Sequence, residues 1–379
     1  MKVHRREFLA AGSAISLSLA GCTEELSGGG SIPDLPRTGS VASGFEDFDE
    51  RVHEFMTERD IPGGVLGVAT DGEVYVERGY GYRDKSLSRP VEPETLFRIA
   101  SLSKAFTRAA IHTLRRREEL DLDRPVFEIL DLDPLPGESY NDELDNITAG
   151  HLLTHRGGWD REEAYDPAFS QLDIALERGW EEPPDEKQLV RYMLSEPLQF
   201  TPGRGHSYSN IGYIVLGLLV EKVSGHSYHA FLEQELFGPY GITDIAVGRS
   251  LPENRPERET YYFDGRVCPN VAELSPLELL RCPDGGFHLE STAASGGHIV
   301  SVSAFLEWMS EYWLNGRKRR GEDQQRWEYN GTLPGTFSTA LQHRGFDIVV
   351  IFNQRGYDPN YDGIREQLLA AAEGYANTD

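Results

Sequence analysis

Lysine is nearly missing from this chain. Lys2, Lys85, Lys104, Lys187, Lys222 and Lys318 are the whole set among 37 basic residues, against 62 Asp and Glu, and the formal net charge is −25. A surface of that sign repels nucleic acid, which is not expected as a partner, and repels anionic membrane faces, so the membrane is expected as a partner only through a lipid anchor on Cys22. Cysteine is scarce too, with three residues, so at most one disulfide is possible beyond whatever Cys22 does. Long hydrophobic runs are lacking. The apolar run Phe8–Ala20 has 13 residues, too short to span a bilayer, and nothing else reaches the length a spanning anchor needs.

The same run reads as part of an export signal. Arg5 and Arg6, followed by Glu7, Phe8 and Leu9, make a twin-arginine pattern. Leu19-Ala20-Gly21-Cys22 resembles a lipoprotein cleavage box, which implies cleavage before Cys22 and a lipid on its sulfur. The plainer alternative is a secreted protein in which Cys22 is incidental. Removing residues 1–21 takes away Lys2, Arg5, Arg6 and Glu7, a net +2, and leaves a mature charge of −27. Few lysines, acid scattered throughout and twin-arginine export together point to a halophilic host, where counterions screen self-repulsion. Cys268 and Cys282 remain, either paired across a short loop outside the cytoplasm or as two incidental thiols.

Residues 22–44 contain Ser-Gly-Gly-Gly-Ser and two prolines and read as a flexible tether behind the lipidated cysteine. The folded domain is expected over 45–379. Phe45, Phe48, Val52, Phe55 and Met56 recur at helical spacing. Two strands follow, joined at Asp71-Gly72. Ser101 opens the next helix. The middle of the chain is helical, including a buried helix that ends at Gly225. The end returns to strands around His343-Arg344-Gly345, then a last helix. Strands at both ends with helices between predict an α+β fold: a mixed, mainly antiparallel sheet built from N- and C-terminal strands, flanked by helices, with a helical insertion lobe.

Three stretches carry chemistry. In "FRIASLSKAF" Lys104 stands one helical turn after Ser101, and apolar flanks would bury the pair. A serine hydroxyl is a poor nucleophile until a base takes its proton, and a buried lysine is such a base. In "GHSYSNIGY" Tyr208 is placed to relay a proton and Asn210 to donate to a substrate carbonyl. In "YNGTLPG" Gly331 lets backbone approach a ligand and Thr332 offers an N–H. His151 and His155 stand four apart, but "HLLTH" lacks the glutamate of the zinc-protease motif. The acid-dense run from Asp121 to Glu138 fits no calcium loop and reads as a solvated face.

These stretches, in this order, resemble the serine β-lactamase-like family, in the branch of class C β-lactamases, penicillin-binding proteins and related esterases. "GYGYRD", "HLLTHRGGW", "LFGPYGITD" and "ASGGHIVSVSAF" support the resemblance over nearly the whole mature chain. It implies the β-lactamase/penicillin-binding-protein fold and Ser101 as the acylated nucleophile. Lys104 and Tyr208 would exchange its proton, Asn210 would orient substrate, and the N–H groups of Ser101 and Thr332 would form the oxyanion hole. No metal or organic cofactor is implied, and the partner is a small-molecule substrate. One departure matters: the family's third motif usually begins with Lys or His, and Tyr329 stands there. Without that charge, an esterase is expected over a β-lactamase or D-alanyl carboxypeptidase. The rival is a catalytically silent surface binding protein that keeps the pocket.

Overall fold

The computed structural model describes residues 35–321, 325–355, 361 and 363–376. The twin-arginine segment, Cys22 and most of the proposed tether lie outside them. Within this range the two ends of the chain meet in one sheet. Strand β1 (Arg37–Val41) is followed by helix α1 (Glu46–Glu58), β2 (Gly63–Thr70) and β3 (Glu73–Gly81). Far along the chain come β4 (Trp327–Leu333), β5 (Thr336–His343), β6 (Phe346–Phe352) and a closing helix, Gly363–Ala376. The sheet order is β1-β3-β2-β6-β5-β4, and every pair in it is antiparallel.

Local chemistry sets the hairpins. Asp71 and Gly72 have φ of 52° and 81°, and Arg344 and Gly345 have 50° and 85°. Two successive positive-φ residues give the turn whose twist matches that of the flanking strands. Both faces of the sheet are covered, which is why β6 reads as a nearly continuous apolar run. Phe346 and Phe352 face α1, where they meet Phe48 at 5.9 Å and Phe55 at 5.8 Å. Val349 and Ile351 face the helical lobe.

One boundary needs correction. Arg37–Val41, placed in the tether on composition, is an edge strand in register with Val76–Tyr80 of β3. Arg37 also bonds Asp49 at 2.7 Å. The folded unit therefore starts before Phe45.

Between the sheet's two halves the chain builds the lobe. The helix Ser103–Arg116 and the helix Asn210–Ser224 cross in its centre. The latter is capped by Ser209, whose Oγ accepts from the Gly212 N–H at 3.1 Å, and ends at Gly225 with φ 75°. Phe106 anchors the former against Trp308 at 5.0 Å and Phe237 at 5.2 Å. Burying one such ring contributes about 1.5–3 kcal/mol. Cys268 and Cys282 are disulfide-bonded, with Cα atoms 4.9 Å apart. The bond crosses a small hairpin, Val267–Asn270 with Ser275–Arg281. No helix among the described residues is long and apolar enough to cross a membrane.

Candidate active site

Ser101 does not open an α-helix. It sits in a single 3₁₀ turn, Ala100–Leu102, and the α-helix begins at Ser103. The cause is Ala100, held at φ +48°. A non-glycine residue there costs about 1–3 kcal/mol and persists only where its surroundings dictate it. Here they do. Phe97 and Arg98 pair with Val300 and Ile299. The buried Arg98 guanidinium donates to the carbonyls of Pro283 and Arg249, each at 2.8 Å. From β5, Thr336 Oγ1 donates to the Arg98 carbonyl at 3.0 Å and Ser338 Oγ to that of Ile99 at 2.8 Å.

Lys104 follows one turn later and is 1% exposed. Its Nζ donates to Ser101 Oγ at 3.3 Å, to Asn210 Oδ1 at 2.7 Å and to the Ser295 carbonyl. Burial pulls the Lys104 amine below the ordinary lysine range, against the opposing pull of Tyr208 and Asp166. Tyr208 OH donates to Ser101 Oγ at 2.6 Å. Burial works against a Tyr208 phenolate. The Lys104 charge, with hydrogen bonds from Lys104 and Ser101, outweighs it and brings the phenol below its ordinary range. Lys104 and Tyr208, far apart in sequence, are thus both within hydrogen-bond reach of Ser101 Oγ.

His155 stacks on Tyr208 at 4.6 Å, and its Nδ1 accepts from the Ser209 N–H at 3.3 Å. Burial and the charges of Lys104 and Arg108 push it down to about 3, so it is neutral. His151 closes a capping box with Thr148 at the start of the helix Ala149–Leu153. The two histidines have separate structural partners.

Asn210 is the first residue of its helix. Its Oδ1 accepts from Lys104 and its Nδ2 donates to Asp166 Oδ2 at 2.6 Å. The side chain expected to orient substrate therefore spends both ends of its amide bridging a lysine and a carboxylate, although it still lines the cleft. Asp166 was not foreseen. Its other oxygen accepts from the Ala168 N–H at 3.1 Å, and burial raises its pKa against the Asn210 bond. Asp166-Pro167 is a readable turn signal. Its reach to Asn210 is not.

The third stretch lies on β4. A Cβ on Gly331 would stand 2.2 Å from the Ile99 carbonyl and 3.0 Å from the Ser101 nitrogen. Glycine is needed so that β4 can abut the nucleophile turn; the backbone it approaches is the protein's own. Thr332 is exposed and lines the cleft with Ser101. Tyr329 does not line the cleft. Its ring lies against the Arg108 guanidinium, 4.3 Å from the ring centroid, in an adjacent cavity. The cleft, about 490 Å³, also carries Arg161 and Arg355, two cations with no motif to announce them.

The fold agrees with that of known proteins. The Beta-lactamase family model matches residues 48–366, most of the chain, and the chain belongs to that family. Penicillin-binding protein 4* of Bacillus subtilis is 30% identical over 222 residues, 58% of this chain and 45% of that protein. Esterase EstB of Burkholderia gladioli is 34% identical over 221 residues, 56% of this chain and 53% of the esterase. The chain spans about half the length of these curated relatives. Among solved structures, a D-amino acid amidase from Ochrobactrum anthropi SV3, complexed with D-phenylalanine, superposes with a TM-score of 0.67 at 19% identity, covering 88% of this chain and 99% of the amidase. An octameric penicillin-binding protein homologue from Pyrococcus abyssi superposes with a TM-score of 0.62 at 21% identity, covering 87% and 78%. At such identities the likeness establishes the fold.

Proposed function

We propose that the protein is an extracytoplasmic serine hydrolase that works through an acyl-enzyme on Ser101, with carboxylic esters as its preferred substrates. The observation that carries this reading is Ser101 Oγ held at 2.6 Å from Tyr208 OH and 3.3 Å from Lys104 Nζ at the floor of an open cleft. Lys104 and Tyr208 titrate as a pair. A neutral amine beside a phenol and an ammonium beside a phenolate each leave one basic atom within reach of the serine proton. As Oγ attacks the ester carbonyl, that base takes the proton and returns it to the departing alkoxide. Water then repeats the sequence on the acyl-enzyme, so ester and water become acid and alcohol. The N–H groups of Ser101 and Thr332 are the assigned oxyanion donors.

Ester preference rests on Tyr329, which puts no charge at the start of the third motif, and on the likeness to an esterase. A fluorophosphonate probe should label the Ser101 peptide, and Ser101→Ala should abolish labelling and turnover while leaving the fold intact. p-Nitrophenyl butyrate should be hydrolysed with a higher kcat/KM than a chromogenic cephalosporin; the reverse order would defeat the substrate assignment. Export by the twin-arginine route, with a lipid on Cys22, completes the reading, and the Cys268–Cys282 bridge suits an oxidising compartment. Cys22→Ser should release the protein from membranes; a processed but membrane-held variant removes the anchor.

A further inference from the structure

A second cavity, about 600 Å³, opens on Ser101 from the lysine side. It shares only Ser101, Tyr208 and Asn330 with the cleft. One face of the nucleophile helix supplies its wall. Lys104, Arg108, His112 and Arg115 recur at intervals of four, four and three, so they stack along one stripe. The opposite lip is Arg317. It is brought there by a tight turn at Gly316, where a Cβ would stand 2.4 Å from Arg108 backbone and side-chain carbons.

The charge of this cavity is opposite to that of the molecule. The chain has 62 acidic residues, and none of those among the described residues lines it. Arg108 is 7% exposed. It leans on the rings of Tyr329 at 4.3 Å and Tyr213 at 5.3 Å. No carboxylate among the described residues lies within ion-pair distance of Arg108, Arg115 or Arg317, although Arg117, which caps the C-terminus of the same helix, pairs with Glu235. His112 adds no charge: burial and the surrounding arginines push it down to about 4. His155 is likewise neutral. The interior of the cavity therefore holds one deep guanidinium, with two more at its mouth. An uncompensated buried charge is costly, and a bound anion relieves it.

We propose that this cavity is a subsite for a single carboxylate carried by the substrate, with Arg108 as its deep partner and Arg115 and Arg317 drawing it in. The Lys104–Tyr208 pair is neutral overall in either of its proton arrangements, so Arg108 is left as the buried cation to be matched by a monoanion, and a guanidinium fork fits a carboxylate in two-point contact. Arg108 stands one turn beyond Lys104, about 6 Å along the helix axis. The carboxylate thus sits a few bonds from the ester carbonyl, and esters that carry one free carboxylate, on the acyl arm or on the leaving group, are the class that fits. The inference rests on the hydrolase reading above and names the substrate class of that site.

The test compares two matched ester pairs. One carries the acid on the acyl arm: the p-nitrophenyl ester of glutaric acid, free or methyl-capped. The other carries it on the leaving group: 4-acetoxybenzoate and its methyl ester. The wild type should prefer the free acid of one pair by roughly tenfold in kcat/KM, the scale of one charge-assisted hydrogen bond. Arg108→Gln should remove that preference. The exposed pair Arg115→Gln/Arg317→Gln, which leaves the core untouched, should reduce it severalfold. No preference in either pair, or a preference unchanged in both variants, overturns the subsite. Absence of turnover on every ester defeats the hydrolase reading instead. Calorimetric titration of glutarate and of inorganic phosphate then decides the cavity independently. Saturable glutarate binding that weakens in the double variant sustains it. No glutarate binding, or tighter binding of phosphate, overturns it.

Discussion

The outside of this protein and the surroundings of its nucleophile carry opposite charge. The chain as a whole is −25, yet Lys104, Arg108, Arg161 and Arg355 ring Ser101, and the nearest acid of the network, Asp166, is already engaged by Asn210. Charge on the shell is exposed, distributed and open to screening. At the site, Lys104 and Arg108 are buried, fixed by packing and much less screened, while Arg161 and Arg355 are exposed on the cleft. The difference separates two kinds of electrostatics: a distributed surface charge that responds to the ionic strength of the solvent, and a fixed local charge that responds to what enters the cleft. Net charge therefore says nothing about the sign of the ligand.

The largest expected effect comes from the buried side of that contrast. Lys104→Ala and Tyr208→Phe should each lower kcat/KM at least about a hundredfold, the usual cost of losing a proton-transfer group. Both groups titrate below their ordinary ranges in the folded protein. The basic form is thus available at lower pH than in a free lysine or tyrosine, and kcat/KM should rise with pH along a limb that lies below the free phenol value of about 10. A limb at or above that value would mean that the pair is not coupled as described.

A smaller effect is expected at Asp166. Its charge raises the Lys104 pKa and opposes the drop due to burial. Asp166→Asn removes the charge but can keep the bond to Asn210, so the limb should move to lower pH with a loss of turnover of about tenfold or less. An unmoved limb with a large loss of folded protein would make Asp166 a structural cap only.

The shell gives the smallest change in chemistry and a broad one in stability. Between 0.1 M and 1 M salt the Debye length falls from about 10 Å to about 3 Å. Melting temperature should rise over that range and beyond as carboxylate repulsion is screened. Salting-out ions also strengthen hydrophobic burial, so a variant with ten surface acids changed to glutamine serves as control and should respond much less. Equal response in both would show that burial, and not the shell charge, is what salt strengthens.

Legibility followed the same divide between local and distant causes. The two hairpins were readable because Asp71-Gly72 and Arg344-Gly345 carry their turn geometry in adjacent residues. The helix ending at Gly225 was readable from its cap and apolar content. Edge strand β1 was not, because Arg-Thr-Gly-Ser-Val has neither alternation nor a buried face, and only its register with β3 makes it a strand. Ser101 and Lys104 were readable from spacing, but the 3₁₀ turn was not, because the left-handed Ala100 is imposed by bonds from Thr336, Ser338 and the buried Arg98.

By itself, then, the order of residues determined the α+β class, the family and the three stretches that meet at the site, since each of these rests on local pattern and spacing. Tertiary structure alone decided which groups those stretches meet. It set Asn210 between Lys104 and Asp166, moved Tyr329 out of the cleft and onto Arg108, and gathered arginines from separate segments around one serine. Such contacts join residues tens to hundreds of positions apart, and no local propensity encodes them; they follow from burial, which leaves each polar group only the partners that packing brings within reach.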